Sequence, residues 1–146
     1  MEFKCIISRH HLVPSQVYNA DETRLYWKCL PTKTLAAAEE KSAPGHKSSK
    51  ERITLLCCAN ASGENKLKMA AVGKAKSPRS FKGTEVKCLP VDYYNNKSAW
   101  MTRDIFKSWF HSKFVPKVRE FLASKGLPQK AILFLDDVPS HSLKQS

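Results

Sequence analysis

Apolar and polar positions fall into a few blocks along this chain, and the last block is the plainest. Ala131-Ile132-Leu133-Phe134-Leu135 is an unbroken apolar run that ends in Asp136 and Asp137. Its length and composition predict a strand buried on both faces, as in a parallel sheet. A carboxylate entering the core behind such a strand would carry a large desolvation cost. Asp136 is therefore expected at the strand's carboxyl end, where open α/β sheets place their ligands. Val17-Tyr18-Asn19-Ala20, followed by Asp21 and Glu22, repeats the pattern. It predicts a first strand that delivers Asp21 to the same rim.

Between these two strands, Ile53 to Ala59 is apolar and β-rich, and Asn60 to Asn65 contains Ser62-Gly63, a turn signal. Lys66 to Val72 then resumes an extended pattern, so the stretch predicts a β-hairpin. Residues 1–15 read as a leader or helix remnant ending near Pro14. Thr23 to Thr34 reads as an irregular or hairpin continuation, and residues 36–50 as a flexible basic loop. Residues 73–98, with Pro78, Gly83 and Pro90, read as a long surface connection. Trp100 to Leu122 is helical by the three- and four-residue spacing of Met101, Ile105, Phe106, Trp109, Phe110, Phe114, Val118 and Leu122. Thr102 suits the N-cap and Asp104 the positive first turn. Pro116 predicts a kink or a two-part helix, and Gly126 and Pro128 end it. The whole reads as one α/β domain over residues 16–146, a mixed sheet with flanking helices.

Composition adds a partner class. Hydrophobic content of 42% and three Trp exclude a disordered chain. Lys and Arg number 25 against 13 Asp and Glu, a net charge of +12. Residues 41–82 alone hold ten Lys or Arg and two Glu, a net of +8. Such a segment attracts polyanions, nucleic acid first among them. Lys41, Lys47, Lys50, Arg52, Lys74, Lys76 and Arg79 are the candidate phosphate contacts. A solvated basic face explains the same charges equally well. No apolar run approaches the roughly eighteen residues of a membrane helix, and Met1 to Pro14 lacks the apolar core of a secretory signal. Neither a membrane nor a small-molecule substrate is expected. The five Cys include no Cys-x-x-Cys pair. Cys57 and Cys58 are expected as buried thiols in a strand, and the odd count fits a reducing, intracellular setting. His10 and His11 have no spaced partners for a metal. The sequence does not specify an oligomeric state.

An acid after a strand most often caps a turn or helix, so Asp21 and Asp136 alone are a weak signal for a metal. The literal residues weigh more. Tyr18-Asn19-Ala20-Asp21-Glu22-Thr23, Leu25-Tyr26-Trp27-Lys28 and Glu40-Lys41-Ser42-Ala43-Pro44-Gly45 occur in that order. Trp100-Met101-Thr102 with Phe106 and Trp109-Phe110 follows, and then Leu133-Phe134-Leu135-Asp136-Asp137-Val138-Pro139-Ser140-His141. Together they resemble the pogo/Tigger group of DDE transposases, whose domain jerky-like and centromere-binding protein B relatives share.

The resemblance implies an RNase H-like fold whose first acid ends the first strand and whose second ends the fourth. Asp21 and Asp136 match those positions. It implies Mg²⁺ (or Mn²⁺) held by these acids, DNA as partner and a nuclear location. In that chemistry, paired metals activate the attacking oxygen and stabilise the leaving one, and oxygen ligands suit Mg²⁺. The group's third acid lies downstream of the second, and the ten residues after Asp136 offer no candidate. The expectation is thus an incomplete RNase H-like domain lacking its C-terminal part. It would bind DNA as a catalytically inactive derivative of a Tigger/pogo-type transposase. A Mg²⁺-dependent nuclease fragment and a translated remnant without function are the alternatives. Two departures matter locally. Arg24 stands where the group has Gly, which predicts an altered turn after the first acid. Asp137 adds a second charge beside Asp136, and His141 matches a position that could orient a phosphate or water.

Overall fold

The computed structural model describes residues 2–26 and 51–136. Expectations for the loop at 36–50, and for Asp137 and His141, lie outside the described residues. The core is a five-stranded mixed sheet in the order β4-β3-β2-β1-β5. Its strands are β1 (Val17–Tyr26), β2 (Arg52–Asn60), β3 (Ala70–Gly73), β4 (Asp92–Asn95) and β5 (Ile132–Leu135). A helix α1 (Glu2–Arg9) precedes the sheet. Between β4 and β5 runs one long helical stretch: α2 (Arg103–Trp109), a π-helical turn (Phe110–Phe114) and α3 (Val115–Ser124). This α/β arrangement is compatible with an RNase H-like fold.

Strand β1 does not stop at Asp21. It runs ten residues, paired antiparallel with β2 from Tyr18↔Asn60 to Tyr26↔Arg52. Thr23, Leu25 and Tyr26 are good strand formers, and the long β2 partner keeps the backbone groups between them engaged. The expected turn after Asp21 is therefore absent, and Arg24 sits within the strand. The hairpin of β2 and β3 is present, but β3 begins at Ala70, and Lys66 holds only an isolated bridge to Ala59. The expected surface connection over 73–98 contains β4, which pairs parallel with β3, and two short 3₁₀ turns at Arg79–Phe81 and Val86–Cys88. Asp92-Tyr93-Tyr94-Asn95 is too short and too polar to signal a strand by periodicity, and the pairing with β3 decides it. Strand β5 is an edge strand and only half-buried, where a strand buried on both faces was expected.

The helical stretch matches the sequence closely. Thr102 caps it, its hydroxyl accepting from the Ile105 N–H at 3.2 Å. Pro116 lacks an N–H and crowds the preceding turn, which disturbs the regular ladder. The helix widens there, and the Val115 N–H reaches back five residues to the Phe110 carbonyl. Its apolar face carries Phe106, Trp109, Phe114, Val118 and Leu122, all buried. They cover Tyr18, Ala20, Leu56, Cys58, Ala70 and Val72 of the sheet. These are alternate residues of β1, β2 and β3, as one face of a pleated sheet requires. Helix α1 touches the opposite face, with the Phe3 and Phe134 rings 4.8 Å apart.

Candidate functional site

Strands β1 and β5 run parallel, in register from Val17↔Ile132 to Ala20↔Leu135. One residue past that last pair come Asp21 and Asp136. Neighbouring strands lie about 4.8 Å apart, and residues in register on parallel strands point to the same face. Tyr18, Ala20, Leu133 and Leu135 all join the core. Asp21 and Asp136 therefore belong with Asn19 and Phe134 on the face away from α2 and α3. Both are exposed. The two acids are thus brought together as expected, although Asp21 stands mid-strand rather than at a strand end.

On its other flank Asp21 pairs with Cys57 of β2. Cys57 is exposed and Cys58 buried, so only one of the two expected buried thiols lies inside. Burial, with Cys57 beside it, pushes the Cys58 thiol from its ordinary 9.0 up to about 12. That thiol is unreactive at neutral pH, whereas Cys57 opens onto the face that carries Asp21.

The register is held from outside the two strands. Gln16, only 3% exposed, immediately precedes β1. Its side-chain amide donates to the Pro128 carbonyl at 3.1 Å and the Lys130 carbonyl at 2.9 Å, just ahead of β5. Its Oε1 accepts from the Val13 N–H at 3.0 Å. A buried amide with all these partners costs little and fixes the two strand entries against each other. Nothing in the sequence marked Gln16 beyond its place before a strand.

The basic candidates divide. Lys41, Lys47 and Lys50 lie outside the described residues. The directions of pairing make β1, β3, β4 and β5 run one way and β2 the other. The carboxyl ends of the four like-directed strands point one way, but β5 ends level with Ala20 while β3 ends beside the start of β2, near the far end of β1. Lys74, Lys76 and Arg79 follow β3 at that far end, and Arg52 begins β2 there. Arg52 is not simply solvated. Its guanidinium carbon lies 4.3 Å from the Trp100 ring centre, and that of Arg24 lies 5.1 Å from it. Trp100 remains 49% exposed. Asn96 builds the loop that presents it, its Oδ1 accepting from the Ser98 and Trp100 N–H groups at 3.1 Å each. Two arginines on one tryptophan form a fixed cationic surface of a kind that sequence spacing does not reveal.

Comparison with known proteins identifies the family. Residues 50–146 match the family described as DDE superfamily endonuclease. The chain belongs to the DDE superfamily endonucleases. It is 47% identical over 141 residues to the human Jerky protein homolog, covering 95% of this chain and 24% of that protein. To human Tigger transposable element-derived protein 7 it is 40% identical over 145 residues, covering 97% of this chain and 26% of that one. Mouse Tigger transposable element-derived protein 4 is 40% identical over 129 residues, covering 88% and 23%. The chain thus spans about a quarter of the length of these relatives. No solved structure matches it.

DDE endonucleases use divalent metal ions. Asp21 and Asp136 are hard oxygen donors on one face, which suits Mg²⁺ or Mn²⁺ rather than a softer ion. An octahedral shell takes about six ligands, of which these two carboxylates would supply two. Among the described residues no group of three or more His, Cys, Asp or Glu gathers as metal ligands. Among them also, no helix is long and apolar enough to cross a membrane.

Proposed function

We propose that this chain is an RNase H-like DNA-binding domain of a Tigger/pogo-type transposase lineage, acting in the nucleus. In this reading it binds duplex phosphates along the sheet and does not cut them. The observation that carries it is the parallel register Ala20↔Leu135, because it sets Asp21 and Asp136 side by side, with Arg52, Lys74, Lys76 and Arg79 further along the same sheet, toward the end of β1. Those four cations contact phosphate oxygens, which fixes position on DNA without reading its sequence. Asp21 and Asp136 would hold one Mg²⁺ or Mn²⁺, and that ion would supply charge neutralisation for a phosphodiester oxygen drawn to the pair. Among the described residues Asp21 and Asp136 alone offer few ligands for a second ion, so phosphate binding is the activity these residues support.

Fluorescence anisotropy of the purified chain with a labelled duplex of about three helical turns tests the reading. Affinity should fall steeply with salt, with a log–log slope of about −0.9 per phosphate neutralised. Undetectable binding, or binding indifferent to salt, contradicts it. The same preparation incubated with supercoiled plasmid and Mg²⁺ or Mn²⁺ should leave the plasmid intact. Metal-dependent nicking that disappears in Asp21→Ala would instead establish the nuclease reading, which the same acid register favours.

A further inference from the structure

A second cationic site lies where β3 and β4 begin, across β2 from Glu22 in the pairing register. A cavity of about 490 Å³ there is lined by Lys66, Lys68, Lys113, Lys117 and Asp92, with a neutral remainder. A second cavity of about 490 Å³ shares Lys68, Asp92 and Lys113 with it and adds Lys87. The two adjoin at the three shared residues, and together their lining holds five ammonium groups and one carboxylate.

The site is organised rather than a scatter of surface charge. Asp92 opens β4, and its side chain is only 13% exposed. The Lys113 Nζ lies 3.4 Å and the Lys68 Nζ 3.9 Å from the same Asp92 oxygen. One carboxylate therefore draws two lysines, from separate elements, to the point where the cavities meet. Lys113 lies in the π-helical turn, a distortion often found at functional positions. Lys117 follows one turn later, with its own partner Glu120 at 3.7 Å on the outer face. The Asp92 backbone N–H is held by the Met69 carbonyl at 2.8 Å, which anchors the carboxylate itself.

We infer that this site seats a phosphodiester strand, with Lys68 and Lys113 exchanging their shared carboxylate for phosphate oxygens. Five cations against one anion leave the site strongly attractive to a linear polyanion. The cavities lie within the roughly 300–1,000 Å³ range of ligand sites, and they adjoin at Lys68, Asp92 and Lys113. Two adjoining cationic cavities suit a strand of repeated monoanions better than one compact anion. The inference rests on the reading of the chain as DNA-binding, but it concerns lysines gathered around Asp92 rather than the acids Asp21 and Asp136, and none of them is among the candidate phosphate contacts of the sequence.

The test titrates labelled DNA against the full chain, the Lys68→Gln/Lys113→Gln/Lys117→Gln variant, Asp92→Asn, and Lys4→Gln as a control from α1. The triple variant should bind about tenfold more weakly, with its salt slope reduced by about 0.9 for each phosphate that the site no longer neutralises. Asp92→Asn removes the competing carboxylate and should tighten binding about threefold. Lys113→Arg, which keeps the charge, should bind as the parent does, while thermal melts confirm that each variant folds. DNA binding by the parent with no change in the triple variant overturns the site and leaves the DNA reading intact. No DNA binding by the parent overturns both. Equal, lysine-dependent binding of polyglutamate overturns the phosphodiester strand as occupant.

Discussion

The Gln16 side-chain amide donates to the Lys130 carbonyl at 2.9 Å, across 114 residues of chain. That bond, with its partner to Pro128, joins the entry of β1 to the entry of β5. Everything proposed for Asp21 and Asp136 depends on the register it holds. Replacing Gln16 by Ala takes the partner from the Lys130 carbonyl and the Val13 N–H, while the Pro128 carbonyl keeps the Lys130 N–H. The expected loss is about 1–3 kcal/mol of stability, read as a lower urea midpoint at unchanged slope.

Trp109 and Trp100 should respond differently to truncation. Trp109 is fully buried, with its ring centre 5.6 Å from those of both Phe106 and Phe114. Trp109→Ala should cost about 3–5 kcal/mol. Trp100 is half exposed, and Trp100→Ala removes mainly its contacts with Arg24 and Arg52, worth about 1–2 kcal/mol together. Equilibrium unfolding of both variants measures the contrast, and DNA affinity should fall only in the variant that frees the two arginines.

Gly73 is constrained by its neighbour. A Cβ added there would collide with the Tyr93 hydroxyl, which itself donates to the Ala75 carbonyl. Gly73→Ala must push Tyr93 from this place and should cost about 1–3 kcal/mol. Gly73→Ala combined with Tyr93→Phe removes the obstructing hydroxyl and should recover part of that stability, as urea denaturation of the single and double variants would measure.

Alkaline stability should carry the signature of Cys58. Its thiol ionises at about 12 in the folded chain and near 9.0 once unfolded. Below about pH 9 both states keep the proton, so the contribution is fully present. Between those two values only the unfolded chain releases it, so stability falls, by up to about 4 kcal/mol from this group. Cys58→Ala should flatten the decline of thermal midpoint with pH over that window. Near neutral pH a maleimide should label Cys57 in the folded chain and leave Cys58 unmodified.

Much of this arrangement was legible in the sequence where the pattern was local. Thr102, Asp104 and Pro116 announced a capped, interrupted helix, and the apolar spacing gave its buried face. The runs before Asp21 and Asp136 marked two of the strands, because apolar continuity and a terminal charge are visible residue by residue. What depended on pairing was not visible. β4 is a strand because β3 lies beside it, β1 continues past Asp21 because β2 is long enough to accompany it, and β5 is half-buried because it forms the edge. The candidate site divides in the same way. Asp21 and Asp136 stand out as candidates in the sequence, and their adjacency follows from the β1–β5 register, while Gln16, the Arg24–Trp100–Arg52 contact and the Asp92 lysine cluster arise from residues distant in the chain.

A disulfide cross-link between the two acid positions tests the central arrangement most directly. Neighbouring strands about 4.8 Å apart fall within the Cα separation a disulfide accepts. In a background carrying Cys57→Ser, the Asp21→Cys/Asp136→Cys variant should close an intramolecular bond under mild oxidation, seen by mass spectrometry as the loss of two hydrogens. The Asp21→Cys/Leu135→Cys control, whose second position faces the core, should not. Free thiols in the first variant after oxidation, or equal cross-linking in both, would contradict the placement of Asp21 beside Asp136 and the function built upon it.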